Sequence, residues 1–353
     1  MATAASPALD LPVAETRAGF FGFTRAQGIL FLAMLAFLIA APFFLYPRFL
    51  MTVLCFALFA SAFNLLIGYV GLLSFGHAAF FGMGGYITAH VAKMGFQWDS
   101  LTVPLGAWSF SIPLGLSLPP FNPEFAILAG ALVGAAMGAV FGWIAIRRQG
   151  IYFAMITLAL AQMVFFFCVQ VPFTHGEDGI QGVPRGLLFG AIDLRPDLTM
   201  YWAVLAIFLF GFLLLHRVVT SPFGQVMKAI RENEPRATSL GYRTDDYKLV
   251  AFILSAMLAA VAGGTKAIAL NIAYLTDVDW HMSGQVVLMT LLGGLGTLFG
   301  PVVGAAVIIT MQTYLAPFGA WVTVIQGVIF VACVLAFRAG IVGQLANALR
   351  IRL

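Results

Sequence analysis

Apolar residues fill this chain in unbroken runs, and its polar positions gather in short intervals between them. Ten runs stand out, at about 29–45, 49–67, 76–92, 124–146, 151–171, 200–215, 249–270, 285–295, 301–315 and 321–337. A run near 20 residues is what a helix needs to cross a hydrocarbon core of about 30 Å. The apolar positions are continuous and do not alternate with polar ones, so the crossing elements are helices and not the strands of a barrel. The pattern predicts an all-α polytopic membrane protein with about ten transmembrane helices. Eight to ten is the range, because 76–92 is broken by glycines and 285–295 is short. The interval 94–122, rich in proline and nearly uncharged, reads either as a loop or as a re-entrant segment. The chain then divides into an N-terminal segment 1–28, a transmembrane body 29–337 and a tail 338–353.

One polar interval inside the body, 217–248, has a helical grammar of its own. It holds ten of the 32 charged residues. Ser221 followed by Pro222 is a helix cap with proline at a position that needs no amide partner. Phe223, Val226, Met227 and Ile230 recur at three- and four-residue spacing, while Lys228, Arg231 and Glu232 fall on the other side. Asn233-Glu234-Pro235 stops that helix and starts a shorter one that ends near Gly241. A solvated loop that only supplied charge would need no apolar stripe. A surface that must meet a soluble partner would, and the expectation is that the apolar face seats in a cleft of that partner.

Composition and charge sharpen the picture. Hydrophobic residues make up 61% of the chain, charged residues 9%, and mean hydropathy is +0.99, which excludes a soluble domain. The sequence pI of about 9.1 reflects a positive-inside bias here and does not imply nucleic acid. With ten crossings and both termini in the cytoplasm, 13 of the 18 basic residues lie inside, four outside, and Lys266 lies within a span. The opposite orientation inverts that bias, so 217–248 is expected to be cytoplasmic. Residues 1–24 are mixed and polar, without the ordered regions of a cleavable signal peptide. Cys55, Cys168 and Cys333 each fall inside a span and read as small core residues.

Small residues form rows. Gly130, Gly134, Gly138 and Gly142 repeat every fourth position, as do Gly296, Gly300 and Gly304, which is the spacing for close helix contact in lipid, within one subunit or between two. Polar residues inside spans are candidates for the translocation pathway or for helix packing: Asn64, Ser74, His77 and Gln162 lead. Ser74 and His77 stand out because non-helical backbone at membrane depth must be buried or line a cavity. Lys266, near the outer end of its span, is expected to snorkel outward.

Several stretches together resemble one family. Gly68-Tyr-Val-Gly-Leu-Leu-Ser-Phe-Gly-His-Ala-Ala-Phe-Phe-Gly-Met-Gly-Gly-Tyr86 is similar to the glycine-rich third span of branched-chain amino-acid ABC transporter permeases. Gly150-Ile-Tyr-Phe-Ala-Met-Ile-Thr-Leu-Ala159 and Gly176-Glu-Asp-Gly-Ile-Gln-Gly-Val-Pro-Arg185 look like the LivM type of that system rather than the LivH type. The stretch from Ser221 to Glu232, with Ala237 to Gly241, resembles the family's coupling loop, and Gly293-Gly-Leu-Gly-Thr-Leu-Phe-Gly-Pro301 its glycine hairpin. One departure is Glu234-Pro235-Arg236-Ala237, where the family usually has an alanine pair after the loop glutamate.

The resemblance implies the permease subunit of an ATP-driven importer in the bacterial cytoplasmic (inner) membrane. Its partners would be a second, homologous permease of the LivH type, two cytoplasmic ATPase subunits and an external solute-binding protein. Phe223, Met227, Ile230, Arg231, Glu232, Glu234, Ala237 and Gly241 would form the ATPase-coupling surface. The sequence carries no Gly-x-x-x-x-Gly-Lys-Ser/Thr cradle for phosphates and no His-Glu-x-x-His or Gly-x-Ser-x-Gly, so it is expected to have no catalysis, metal or cofactor of its own, ATP being bound by partners. The implied solutes are branched-chain amino acids, with urea, amides or aromatic acids as alternatives. An ion-coupled secondary transporter is the rival from another class, disfavoured because no Asp or Glu falls mid-span.

Overall fold

The computed structural model describes residues 25–98, 101–105, 108–112, 116–118, 121–148, 150–319, 321–336 and 340–348. The expected N-terminal segment 1–28 therefore lies almost wholly outside the described residues, as does part of the tail 338–353. Thirteen α-helices are described, and seven of them are long and apolar enough to cross a membrane. In chain order the rods are α1 (Arg25–Ala40), α2 (Pro47–Asn64), α3 (His77–Met94), α4 (Pro123–Ala145), α5 (Ile151–Gln170) and α6 (Asp197–Thr220). The two short helices α7 (Pro222–Glu232) and α8 (Glu234–Ser239) precede α9 (Thr244–Leu270), α10 (Trp280–Gly293), α11 (Gly300–Leu315), α12 (Trp321–Ala336) and α13 (Gly340–Ala348). The last of these is a nine-residue helix in a stretch where the hydropathy pattern predicts no element. This is a multi-pass helical membrane protein.

The undecided interval 94–122 is neither plain loop nor helical re-entrant. Its described part forms two nested antiparallel hairpins, β1 (Phe96–Trp98) with β4 (Leu116–Leu118) and β2 (Leu101–Leu105) with β3 (Trp108–Ile112). Of the two runs that set the range of eight to ten, 76–92 becomes an 18-residue helix and 285–295 a 14-residue one that begins earlier, where Asp279 accepts the His281 amide as a cap.

The hub is α9. It packs against α2, α3 and α4, and 17 of its 27 residues are buried. Close approach of α4 to this hub explains its glycine row. A Cβ at Gly134 would overlap Ala260, one at Gly138 would stand 2.6 Å from the Ala256 methyl, and one at Gly130 would crowd Thr88 of α3. In hydrocarbon this fit of backbone to backbone replaces the hydrophobic drive that holds helices together in water. The second row divides. Gly304 sets α11 against the Met289 carbonyl of α10, and Gly300 opens α11, but Gly296 lies off the helix in the α10–α11 turn at φ +73°. Every-fourth spacing made a continuous helical face of a sequence that folds as a hairpin.

Two breaks in regular helix position the site. The last six residues of the second span, Leu65–Val70, wind as a π-helix that ends at Gly71 with φ +83°. The chain then runs without helix to Gly76 before α3 begins. Amides of this stretch and of the first turn of α3 are satisfied by its own Ser74 and by hydroxyls from two other places. Phe75 N–H donates to Thr157 Oγ1 (3.2 Å), Gly76 N–H to Ser74 Oγ (3.2 Å) and Ala78 N–H to Ser283 Oγ (2.9 Å). All three hydroxyl residues are fully buried, which is what irregular backbone at this depth requires.

Candidate functional site

The site begins at the end of the bundle that carries α7 and α8, the lever end. Ser221 accepts the Gly224 amide (3.3 Å), and Pro222 fills the first helical position. A Cβ at Gly224 would collide with the Val219 carbonyl, so the lever folds tightly against the end of α6. Met227 and Ile230 are 0% and 3% exposed, and α7 packs on α6, α9 and the π-helical segment of α2. Phe223 is half-buried and stacks on Tyr247 of α9 at 5.5 Å. This corrects one expectation. The apolar stripe is buried in the chain's own bundle and does not face outward to a partner's cleft. What α7 leaves exposed is its other side, Gln225, Ala229, Arg231 and Glu232.

The second helix is fixed by ion pairing and capping. Asn233 accepts the Arg236 amide (3.1 Å), and the carboxylate of Glu234 takes both the Lys248 ammonium and the Thr244 hydroxyl (3.3 Å) of α9. Lys248 is buried, so the pair ties α8 to the first turns of the hub. Ala237 is buried under α8, and Gly241 turns the chain at φ +90°. Leu240 and Tyr242, beside that turn, are 71% and 42% exposed.

Arg231, exposed on α7, reaches back to the end of the bundle. Its guanidinium donates to the Gly68 carbonyl on the π-helical segment, and a Cβ at Gly296 would lie 3.1 Å from its Nη1. The same junction is closed by Asn64, whose Nδ2 donates to the Thr297 carbonyl (2.9 Å) and whose Oδ1 accepts the Gly296 amide (3.1 Å). Asn64 is thus the clamp between α2 and the tip of the α10–α11 hairpin. The lever, the π-helical segment and the hairpin tip meet at one point.

The other pathway candidates lie elsewhere. His77 is fully buried among Phe63, Phe80 and Phe252, with ring centroids 5.1 to 5.6 Å away. Ser255 donates its proton to the Ala62 carbonyl (2.5 Å), so the 2.9 Å contact from His77 Nε2 must carry the histidine's proton. Ser74 caps its own turn, and Gln162 is half-buried on α5, apart from the rest. The structure therefore does not gather Asn64, Ser74, His77 and Gln162 into one cavity.

Sequence reasoning missed the polar cleft at the opposite, far end. It holds about 480 Å³ between α2, α9, α10 and α11. Lys266 does not snorkel outward: it is 7% exposed and donates to Asp277 Oδ1 at 2.6 Å. Asp277, read as a loop acid, folds back in a 3₁₀ turn, Leu275–Asp277, to meet it. A fold-back of this kind leaves no trace in hydropathy. A second far-end latch is Arg185, which joins Asp197 (2.7 Å) to the Ala269 carbonyl at the end of α9 (2.8 Å). Among the described residues, no group of three or more His, Cys, Asp or Glu is placed to hold a metal ion.

These features define a class: a multi-pass membrane protein with a two-helix polar insertion packed on one end of its bundle. The chain belongs to the family of permease components of the branched-chain amino acid transport system, whose model matches residues 45–335. Its members are permease components and not catalytic subunits. The high-affinity branched-chain amino acid transport system permease protein LivM of Salmonella typhimurium is 24% identical over 336 residues, covering 87% of this chain and 72% of its own length. A probable branched-chain amino acid transport permease protein LivM of Methanocaldococcus jannaschii is 26% identical, over 71% of this chain and 76% of its own. The ribose import permease protein RbsC of Escherichia coli K12 is 28% identical over 59% of this chain and 65% of its own length. No solved structure matches.

Proposed function

We propose that this chain is the membrane-crossing subunit of an ATP-driven importer in a bacterial cytoplasmic membrane, moved by separate ATPase subunits through α7 and α8. The solute is a branched-chain amino acid or a small relative of one. The observation that carries this reading is the family match across nearly the whole transmembrane body, joined to a lever that is rigidly seated yet keeps one polar side free. Its complex has a second, homologous permease, two ATPase subunits that bind the ATP, and an external solute-binding protein. The 217–248 stretch and both termini lie in the cytoplasm, as the basic residues favour. The docking surface is Gln225, Ala229 and Glu232 together with Arg236, Leu240 and Tyr242, not the Met227–Ile230 stripe. Closure of the ATPase dimer shifts α7, and Arg231 carries the shift to the π-helical segment and the hairpin tip.

The test is uptake by the reconstituted complex. It must depend on ATP and on the binding protein, and must not run on an ion gradient alone. Glu232→Lys should leave the complex assembled but remove the binding protein's stimulation of ATP hydrolysis. Full stimulation in that variant would contradict the assignment.

A further inference from the structure

We propose that the far-end cleft is a recognition point for an amino-acid zwitterion with an apolar side chain, its carboxylate taken by Lys266 and its ammonium by Asp277. The assignment rests on the permease reading and adds the place in this chain, and the groups, that would hold the solute.

The first argument is chemical. Lys266 and Asp277 put one full positive and one full negative charge 2.6 Å apart, each residue 7% exposed, in the wall of an open cleft. Thr52, Gln285 and Gln312 add hydrogen-bonding groups around the pair, and Phe56, Ile309 and Tyr274 add apolar surface. The volume of about 480 Å³ falls in the range of small-molecule sites, roughly 300–1,000 Å³. A solute bearing one charge that displaced one half of this pair would leave the other half without compensation, whereas a zwitterion compensates both, so the arrangement selects against the singly charged solute.

The second argument is by contrast. A groove of similar volume, about 450 Å³, runs between α1, α2 and α11, and its lining is almost entirely apolar, from Leu30 and Phe37 to Val302 and Val342. That is how a gap between helices is filled where only hydrocarbon meets it. A buried ion pair contributes little stability over an apolar pair of the same volume, and unlike Lys248–Glu234 and Arg185–Asp197, which tie elements together, Lys266 and Asp277 stand in the wall of an open cleft. Ionisable groups held inside a membrane bundle are markers of solute pathways.

The third argument is position. The cleft opens between the hub and the α10–α11 hairpin, and Gln285, Ile309 and Gln312 belong to that hairpin. The hairpin's other end is the tip that meets Arg231 and Asn64. One rigid element thus lines the cleft at one end and touches the lever at the other, so a push on the lever changes the width of the cleft.

The test uses the whole complex in lipid nanodiscs without its binding protein, so that the binding protein's own selectivity does not enter. Gln285→Cys, in a background carrying Cys333→Ala, supplies a thiol in the cleft wall, and its rate of modification by a small thiol reagent is measured. L-leucine should slow that rate several-fold, and 4-methylpentanoate and 3-methylbutylamine, which each keep one of the two charges, should not. Lys266→Met should abolish the protection. The exchange Lys266→Asp with Asp277→Lys keeps a neutral pair in place, so it guards against simple misfolding, and it too should lose protection. No protection by L-leucine, equal protection by either singly charged analogue, or full protection in the exchanged variant would overturn the proposal. ATP-dependent uptake by the unmodified complex is scored separately: its absence, with protection intact, would count against the permease reading and not against this site.

Discussion

Asn64, Ser74 and His77 have the same signature in sequence, a polar residue in an apolar run, yet Asn64 and His77 serve groups far away in the chain while Ser74 serves an amide two residues on. The partner of Asn64 is 233 residues distant and that of His77 is 178. A linear pattern marks such residues as unusual but cannot say what satisfies them. Asn64→Leu should therefore act on stability first. It leaves the Gly296 amide and the Thr297 carbonyl unpaired, at about 1–3 kcal/mol for each group. Thermal unfolding should show a clearly lowered midpoint, and an unchanged midpoint would remove Asn64 from the clamp. Arg231→Ala should behave differently, since Arg231 joins the lever to the π-helical segment and touches the hairpin tip. Uptake should fall while ATP hydrolysis continues, the mark of lost transmission. A parallel fall in both would mean that the arginine only supports folding.

At the scale of elements, periodicity found both lever helices and their caps, because capping chemistry and the 3.6-residue repeat are local. It could not say which body the apolar stripe faces, because that depends on how α6 and α9 flank the stretch. The burial of Met227 and Ile230 inside the chain gives opposite expectations for the two sides of α7. Met227→Asp should destabilise the subunit and lower its yield in the membrane, since it places a charge without a partner in the core. Ala229→Trp, on the exposed side, should leave the unfolding midpoint nearly unchanged and weaken assembly with the ATPase subunits, measured by co-purification. Gly241→Pro acts at the turn after α8, where φ of +90° is closed to proline, and should release the lever from its seat. The glycine rows teach the same lesson. The α4 row is a true helical face against the hub, whereas Gly296 belongs to a turn, and spacing alone treats them alike.

For the whole molecule, the helical membrane class was legible because hydropathy over 20-residue windows reports the solvent directly. The far-end cleft was not, since it requires a loop acid, Asp277, to fold back onto a lysine eleven residues earlier. The resulting arrangement links the two ends of the bundle through one hairpin, with the lever at its tip and the ion pair at its mouth. Its central claim is that force enters from an ATPase through the free side of α7 and α8. The most direct measurement is site-specific photo-crosslinking from position 229 in the assembled complex, with a photoreactive residue in place of Ala229. The account predicts a product with the ATPase subunit that changes in yield when ATP is bound. A product only with the solute-binding protein, or modification of that position by a membrane-impermeant reagent added outside intact cells, would contradict it.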